Sequence, residues 1–94
     1  MILLSRFKVS GHSMIPTLKP GQEILVSSIP YFFKKPRIDD IIAFKGGNKF
    51  LIKRIKQVEN DRFLVKGDNK TDSKEYGWIE RGQIIGKVIY FLKS

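Results

Sequence analysis

The sequence predicts a mainly β domain: a small coiled antiparallel sheet, or partly open β-barrel, with little helix. Two observations lead there. Short runs rich in Ile, Val, Phe and Leu are divided by eight glycines and four prolines, the punctuation of strands and turns. No long helix and no sustained heptad pattern is visible. The 94 residues, 41% of them hydrophobic, suffice for one core, so a single domain over 1–94 is expected.

The elements follow in order. A first strand, Ile2–Val9, runs into Ser10-Gly11, where the chain can turn tightly. Lys19-Pro20-Gly21 is a turn, and Glu23–Ser28 is the strand after it. A short helical turn is expected near Ile29–Lys35. Asp40–Lys45 carries the apolar run Ile41-Ile42-Ala43-Phe44. It is joined to Lys49–Gln57 across Lys45-Gly46-Gly47-Asn48, which reads as a hairpin. Glu59-Asn60-Asp61 turns into Arg62–Lys66, and Gly67-Asp68-Asn69-Lys70 turns out of it. Gln83–Leu92 is the last strand.

Composition excludes several chemistries. With no cysteine there is no disulfide framework and no thiolate metal site. The single histidine, His12, cannot form a zinc site alone, and no metal or cofactor is expected. The longest apolar run, Val88–Leu92, has five residues, far short of the ~20 that span a bilayer. It is also too short for a signal peptide, so a soluble chain, cytoplasmic or peripheral at a membrane, is expected. Eighteen Lys and Arg against nine Asp and Glu give a net charge of +9. That balance serves solubility, and it also suits nucleic acid or an anionic membrane face. Composition alone favours nucleic acid.

One strand has an informative phase. Side chains alternate along Leu51-Ile52-Lys53-Arg54-Ile55-Lys56, so Leu51, Lys53 and Ile55 share a face that reads as buried. Ile52, Arg54 and Lys56 share the other, which reads as wet. By pattern alone, Lys53 is either a surface lysine whose stem lies along apolar neighbours, the commoner case, or a desolvated amine able to act as a base near neutral pH.

Ser13 lies just past Gly11, and Pro16 with Pro20-Gly21 fixes the exit of the turn. A serine there can present its hydroxyl outward and its backbone N–H toward a carbonyl oxygen, as half of an oxyanion hole. A serine alcohol needs a base. Adjacent side chains on an extended segment point to opposite faces, so His12 is poorly placed. A neutral lysine is the remaining candidate.

These residues resemble the nucleophile box of the type I signal peptidase family, G-x-S-M-x-P-T-L, at Gly11-His12-Ser13-Met14-Ile15-Pro16-Thr17-Leu18. Further boxes follow in that family's order. Gly21-Gln22-Glu23-Ile24-Leu25-Val26 resembles G-D-x-V-L-V, and Asp39-Asp40-Ile41-Ile42-Ala43-Phe44 resembles G-D-I-V-x-F. Ile52-Lys53-Arg54-Ile55 resembles V-K-R-V, the box of the catalytic lysine. Gly67-Asp68-Asn69 with Asp72-Ser73-Lys74-Glu75-Tyr76-Gly77 resembles G-D-N … D-S-R-x-[FWY]-G, and Gly86-Lys87-Val88 matches G-K-V. The resemblance spans Val9 to Val88. It implies the fold shared with LexA-type peptidase domains, with Ser13 as nucleophile and Lys53 as general base. It also implies an extended precursor or signal peptide as substrate. In size the chain is similar to small maturation peptidases without the family's membrane anchor and large β insertion.

Departures from the boxes mark what to look for. Gln22 stands for Asp, with loss of a turn contact expected, and Asp39 stands for Gly. Gly11 occupies a position where some members supply a hydroxyl to the oxyanion hole, which leaves that role to the Ser13 N–H. Many members have a lysine-orienting serine two positions before the Asp of the last box; here that position is Lys70, with Thr71 as a substitute. Met14 is expected to pack under the nucleophile turn beside the cleft. Asp68 and Asn69 are expected to be turn residues, and Asp72 and Ser73 to hold the loop beside Lys53. The strands around Val9 and Asp40–Lys45 are expected to offer edges to the substrate. Tyr31-Phe32-Phe33-Lys34-Lys35 reads as a packed loop or as a membrane-interface patch.

Two other classes compete. An inactive relative acting as an interaction module is consistent with the last box, which is shortened between Asn69 and Asp72 relative to the family's. A basic nucleic-acid-binding β module is consistent with the charge, but gives no reason for the ordered boxes, so nucleic acid is not the expected partner.

Overall fold

The apolar run Ile41-Ile42-Ala43-Phe44 lies in mid-sheet, with all four side chains buried. The computed structural model describes residues 3–71 and 75–92. In chain order its strands are β1 (Ser5–Lys8), β2 (Glu23–Ser27), β3 (Ile41–Gly46), β4 (Lys49–Glu59), β5 (Arg62–Lys66), β6 (Glu75–Glu80) and β7 (Ile84–Phe91). One helical turn, α1 (Pro30–Phe33), follows β2, and a 3-10 turn at Arg81–Gln83 precedes β7. The expected helical turn is therefore present, opened by a proline where the first helical N–H needs no partner.

The strands form one seven-stranded sheet in the order β1-β2-β7-β3-β4-β5-β6. All the pairings are antiparallel. The sheet does not close, yet it coils enough for Phe7 of β1 to meet Phe50 of β4 edge to face, 5.9 Å between ring centres. Register shifts at Leu25/Val26, Ala43/Phe44 and Ile55/Gln57 mark irregularities in the ladders, and such bulges bend strands and increase twist. The mainly β, partly open architecture expected from the sequence is the one found.

Each face of the coiled sheet has its own core. Ile24, Val26, Ile41, Ala43 and Val88 pack with Val9, Met14 and Leu18 of the segment after β1. Ile42, Phe44, Ile55, Phe63, Val65 and Ile79 form the second cluster. Because β3 sends alternate residues into both, its sequence is an unbroken apolar run. β3 also pairs on both sides, with β4 and β7. It therefore has no edge to offer a peptide, which corrects the expectation for Asp40–Lys45.

Three other boundaries differ. The described part of the first strand is shorter than expected: Leu3 and Leu4 lie outside β1 and are exposed. β4 continues to Glu59, carried past Gln57 by the shift that follows Ile55. β6 was not expected. It is interrupted by Gly77 at φ 113° and bounded by Glu75 and Glu80, so its sequence lacks a continuous apolar signal. Ile79 is its buried contribution to the core.

Gly86 shows how tightly β7 fits against β2. A Cβ there would lie 2.6 Å from the Ser27 carbonyl oxygen and 2.7 Å from its carbon. These are backbone atoms, so neither side can yield cheaply. Gly86→Ala is expected to destabilise the fold by about 1–3 kcal/mol, read as a lower urea midpoint.

Candidate active site

The segment after β1 is held as a closed loop. At its base the Gly21 N–H donates to the Val9 carbonyl at 2.8 Å, and the Val9 N–H donates to the Gln22 carbonyl at 2.8 Å. Gly11 turns the chain at φ 80°, a conformation that costs most residues about 1–2 kcal/mol and glycine almost nothing. Met14 and Leu18, 2% and 0% exposed, anchor the loop onto the first core cluster. Pro16 follows a cis peptide bond. The Gln22 side chain accepts the Lys19 N–H at 3.1 Å, so Gln22 makes a turn contact of its own where the family has Asp.

A second set of bonds pins this loop to the corner after β5. The Asn69 N–H donates to the Ser13 carbonyl at 2.8 Å, and its Nδ2 donates to the His12 carbonyl at 2.8 Å. The Thr17 hydroxyl donates to Asp68 at 2.6 Å. Arg54 grips the same carboxylate with two donors, Nε at 2.9 Å and Nη2 at 2.8 Å. Its Nη1 donates to the Asp39 carbonyl at 2.9 Å. Asp68 and Asn69 are thus more than turn residues: between them they fasten the backbone of Ser13 to the strand that carries Lys53. Arg54 points away from the second core, as its phase predicts, but it is half-buried in this pair instead of freely solvated. The two Arg54 hydrogen bonds are the main cause holding the Asp68 carboxyl below the usual range, and Asp68 in turn raises the guanidinium.

Asp39 has φ 79°, in the region that favours glycine. Its N–H donates to the Ile55 carbonyl at 2.8 Å. The backbone shape explains why glycine suits this position in the box it resembles, and aspartate is among the residues that tolerate it.

Lys53 is 9% exposed beside Ile55 at 0%, so the buried phase read for this strand is found. Burial pushes the lysine amine below its ordinary range, because a desolvated ammonium loses hydration that no partner among the described residues restores. Lys53 and Ser13 line one narrow cleft of about 70 Å³, with Phe7, Val9, Met14 and Ile52 among its walls. Lys8 lines it too and is exposed. The cleft lies where β1 approaches β4. Among the described residues β1 pairs only with β2, and the ladder between β4 and β5 starts at Arg54, so Lys49–Lys53 pair there with β3 alone.

Thr71 does not take the part of the lysine-orienting hydroxyl. Its Oγ1 donates to Asn69 Oδ1 at 2.9 Å. Asp72 and Ser73 lie outside the described residues. Thr17, Phe7 and Phe50 were not singled out by sequence reasoning. Thr17 belongs to the P-T-L of the nucleophile box, which was the available signal; the two phenylalanines are placed by the coiling of the sheet and carry no local one.

The sequence profile of the Peptidase S24-like family matches residues 5–89. The chain belongs to the Peptidase S24-like family. This S24-like chain is 40% identical over 63 residues to signal peptidase I V of Bacillus subtilis, covering 66% of the chain and 38% of that protein. It is 36% identical over 71 residues to thylakoidal processing peptidase 1 of Arabidopsis thaliana, covering 62% and 21%. It is 33% identical over 69 residues to signal peptidase I of Bacillus caldolyticus, covering 72% and 38%. The S24-like chain thus spans less than two fifths of the length of these three relatives. What its residues bring together is a serine and a desolvated lysine in one narrow cleft, with the serine backbone tied down by Asn69.

Proposed function

We propose that this chain is a serine endopeptidase core that cleaves a precursor or signal peptide by acyl transfer with a Ser13–Lys53 dyad. The observation that carries the reading is that buried Lys53 lines the same cleft as Ser13. The neutral amine accepts the Ser13 hydroxyl proton as Oγ bonds to the scissile carbonyl carbon. The Ser13 N–H stabilises the oxyanion. The C–N bond then breaks, and the lysine ammonium gives its proton to the departing amine. Lys53, neutral again, takes a proton from water as it adds to the ester carbonyl, and returns that proton to Ser13 Oγ as the ester C–O bond breaks and the acid is released.

The substrate lies extended in the seam between the free edge of β1 and Lys49–Lys53 of β4, adding a strand to either. A cleft of about 70 Å³ admits a methyl or hydroxymethyl side chain and excludes an aromatic ring, which fits small residues at the cut. A panel of peptides with small residues at one central bond tests this. Wild-type protein is expected to cut them, and Ser13→Ala to lose at least about 10³-fold in kcat/KM. Undiminished cleavage by Ser13→Ala would remove Ser13 as nucleophile, and no cleavage by the wild type would favour the inactive interaction module.

We also propose that the rim around α1 meets a membrane surface. Phe33 and Phe32 are 82% and 51% exposed, and Leu3, Leu4 and Ile29 are exposed too. The Ser27 hydroxyl joins this rim, donating to the Leu3 carbonyl and accepting the Ile29 N–H. Lys34, Lys35 and Arg37 line an adjoining hollow of about 220 Å³ in which Lys87 is paired with Asp40 at 3.5 Å, a net positive charge that suits lipid phosphate. Tyr31 is not part of the exposed patch: its hydroxyl donates to Asp40 at 2.7 Å, and burial keeps that hydroxyl protonated well above the usual range. Pelleting with anionic liposomes is expected to fall at least about threefold for Phe33→Ser; unchanged pelleting refutes the contact.

A further inference from the structure

A cavity of about 480 Å³ lies beside the proposed catalytic cleft, and the two share Phe50 in their walls. Tyr31, Phe32, Phe50, Ile84 and Ile85 give it an apolar lining, Lys45 and Arg81 supply positive charge, and none of its lining residues is acidic. The Arg81 guanidinium is held in place, with Nη2 donating to the Tyr31 carbonyl at 2.9 Å and the group lying over the Tyr31 ring. Ser28 also lines the cavity, and its buried hydroxyl has no partner among the described residues.

We propose that this cavity is a second substrate pocket, one that takes a bulky apolar side chain with an acidic neighbour, three to five residues from the bond that is cut. The proposal rests on the peptidase reading above. Its distance follows from the strand: Lys53 and Phe50 are three residues apart on β4, roughly 10 Å at about 3.3 Å per residue. An extended peptide that follows the seam from Lys53 past Phe50 arrives at the cavity mouth. The rings and isoleucines desolvate its side chain, and Lys45 and Arg81 attract the carboxylate. The narrow cleft selects small residues at the cut; this pocket selects a large one farther along.

Two sets of peptides with the same small-residue centre test the proposal. One set carries Asp-Phe three to five residues from the centre, on one side or the other, and the second carries Ala-Ala at the same places. They are titrated into the Ser13→Ala protein and followed by amide chemical shifts. One Asp-Phe peptide is expected to bind at least tenfold more tightly than its Ala-Ala counterpart and to shift Ile84 and Ile85. Lys45→Glu is expected to lose at least fivefold of that gain and to prefer Lys-Phe over Asp-Phe. In the active protein the same pair is expected to differ at least tenfold in kcat/KM. Equal affinities, binding without shifts at Ile84 and Ile85, or no binding by any peptide would overturn the pocket. Shifts there with anionic bicelles but not with peptide would assign the cavity to lipid and overturn it as well. Asp-Phe binding with the expected shifts but no hydrolysis by the active protein would leave the pocket standing and refute the peptidase reading instead.

Discussion

Lys53→Met is expected to lower kcat/KM by at least about 10³-fold, within the range a positioned general base supplies, while raising the melting temperature at neutral pH. Methionine has nearly the length of lysine and no charge, so it fills the same space beside Leu51 and Ile55. What it removes is the amine, and with it the unfavourable burial of an ammonium that no carboxylate among the described residues offsets. The sign of the pH dependence is fixed by the direction of the shift. The folded-state amine titrates below the unfolded one. Below the folded value both states carry the proton and the desolvation cost is present in full. As pH rises through that value toward the unfolded lysine range, near 10.4, the folded state sheds its proton first and the cost disappears. The advantage of Lys53→Met in melting temperature is therefore expected to shrink as pH rises. Wild-type kcat/KM is expected to climb with pH over the same interval and level off below the ordinary lysine range. A flat pH–rate profile, or full activity in Lys53→Met, would refute the lysine as base. Lys53→Arg separates charge from basicity: its guanidinium stays protonated, so activity is expected to be lost without the gain in stability.

Lys53 was legible because a strand imposes a period of two, and its neighbours on either side, Leu51 and Ile55, declare which face is buried. The central β3 was legible for a related reason: an apolar run of four residues suits a strand covered on both faces. Its pairing was not legible. Whether a strand has a free edge depends on which distant strands flank it, and β7 reaches β3 from forty residues away. The same limit applies to the seam. Phe7 and Phe50 meet through the coiling of the whole sheet, which no local pattern encodes. β6 was hidden because Gly77 breaks its alternation and because much of its packing comes from pairing with β5. Arg54 shows a subtler failure. Its phase was read correctly, but a position facing away from the core is wet only if nothing covers it, and the Asp68 corner does.

That corner carries the second large effect. Asp68→Ala is expected to destabilise the protein by about 3 kcal/mol and to reduce kcat/KM by at least tenfold. The carboxylate accepts two bonds from Arg54 and one from Thr17, in an ion pair whose side chains are 22% and 11% exposed. Removing it strands a half-buried guanidinium and releases the end of the loop that carries Ser13. The activity loss comes through geometry, because Asp68 lines no part of the cleft. Thr17→Val, which removes one of the three bonds, is expected to cost about 1 kcal/mol and to lower activity less. In a double-mutant cycle, Arg54→Ala and Asp68→Ala are expected to couple by about 1–3 kcal/mol. The Asp68 carboxyl lies below its unfolded value in the folded state, so its stabilisation is present above about pH 4 and is lost as pH falls through the folded value. Wild type is therefore expected to lose stability on acidification through that window, and Asp68→Ala to lose less. Additive effects of the two alanines, or an acid limb unchanged by Asp68→Ala, would show that the corner does not fasten the nucleophile loop to the lysine strand.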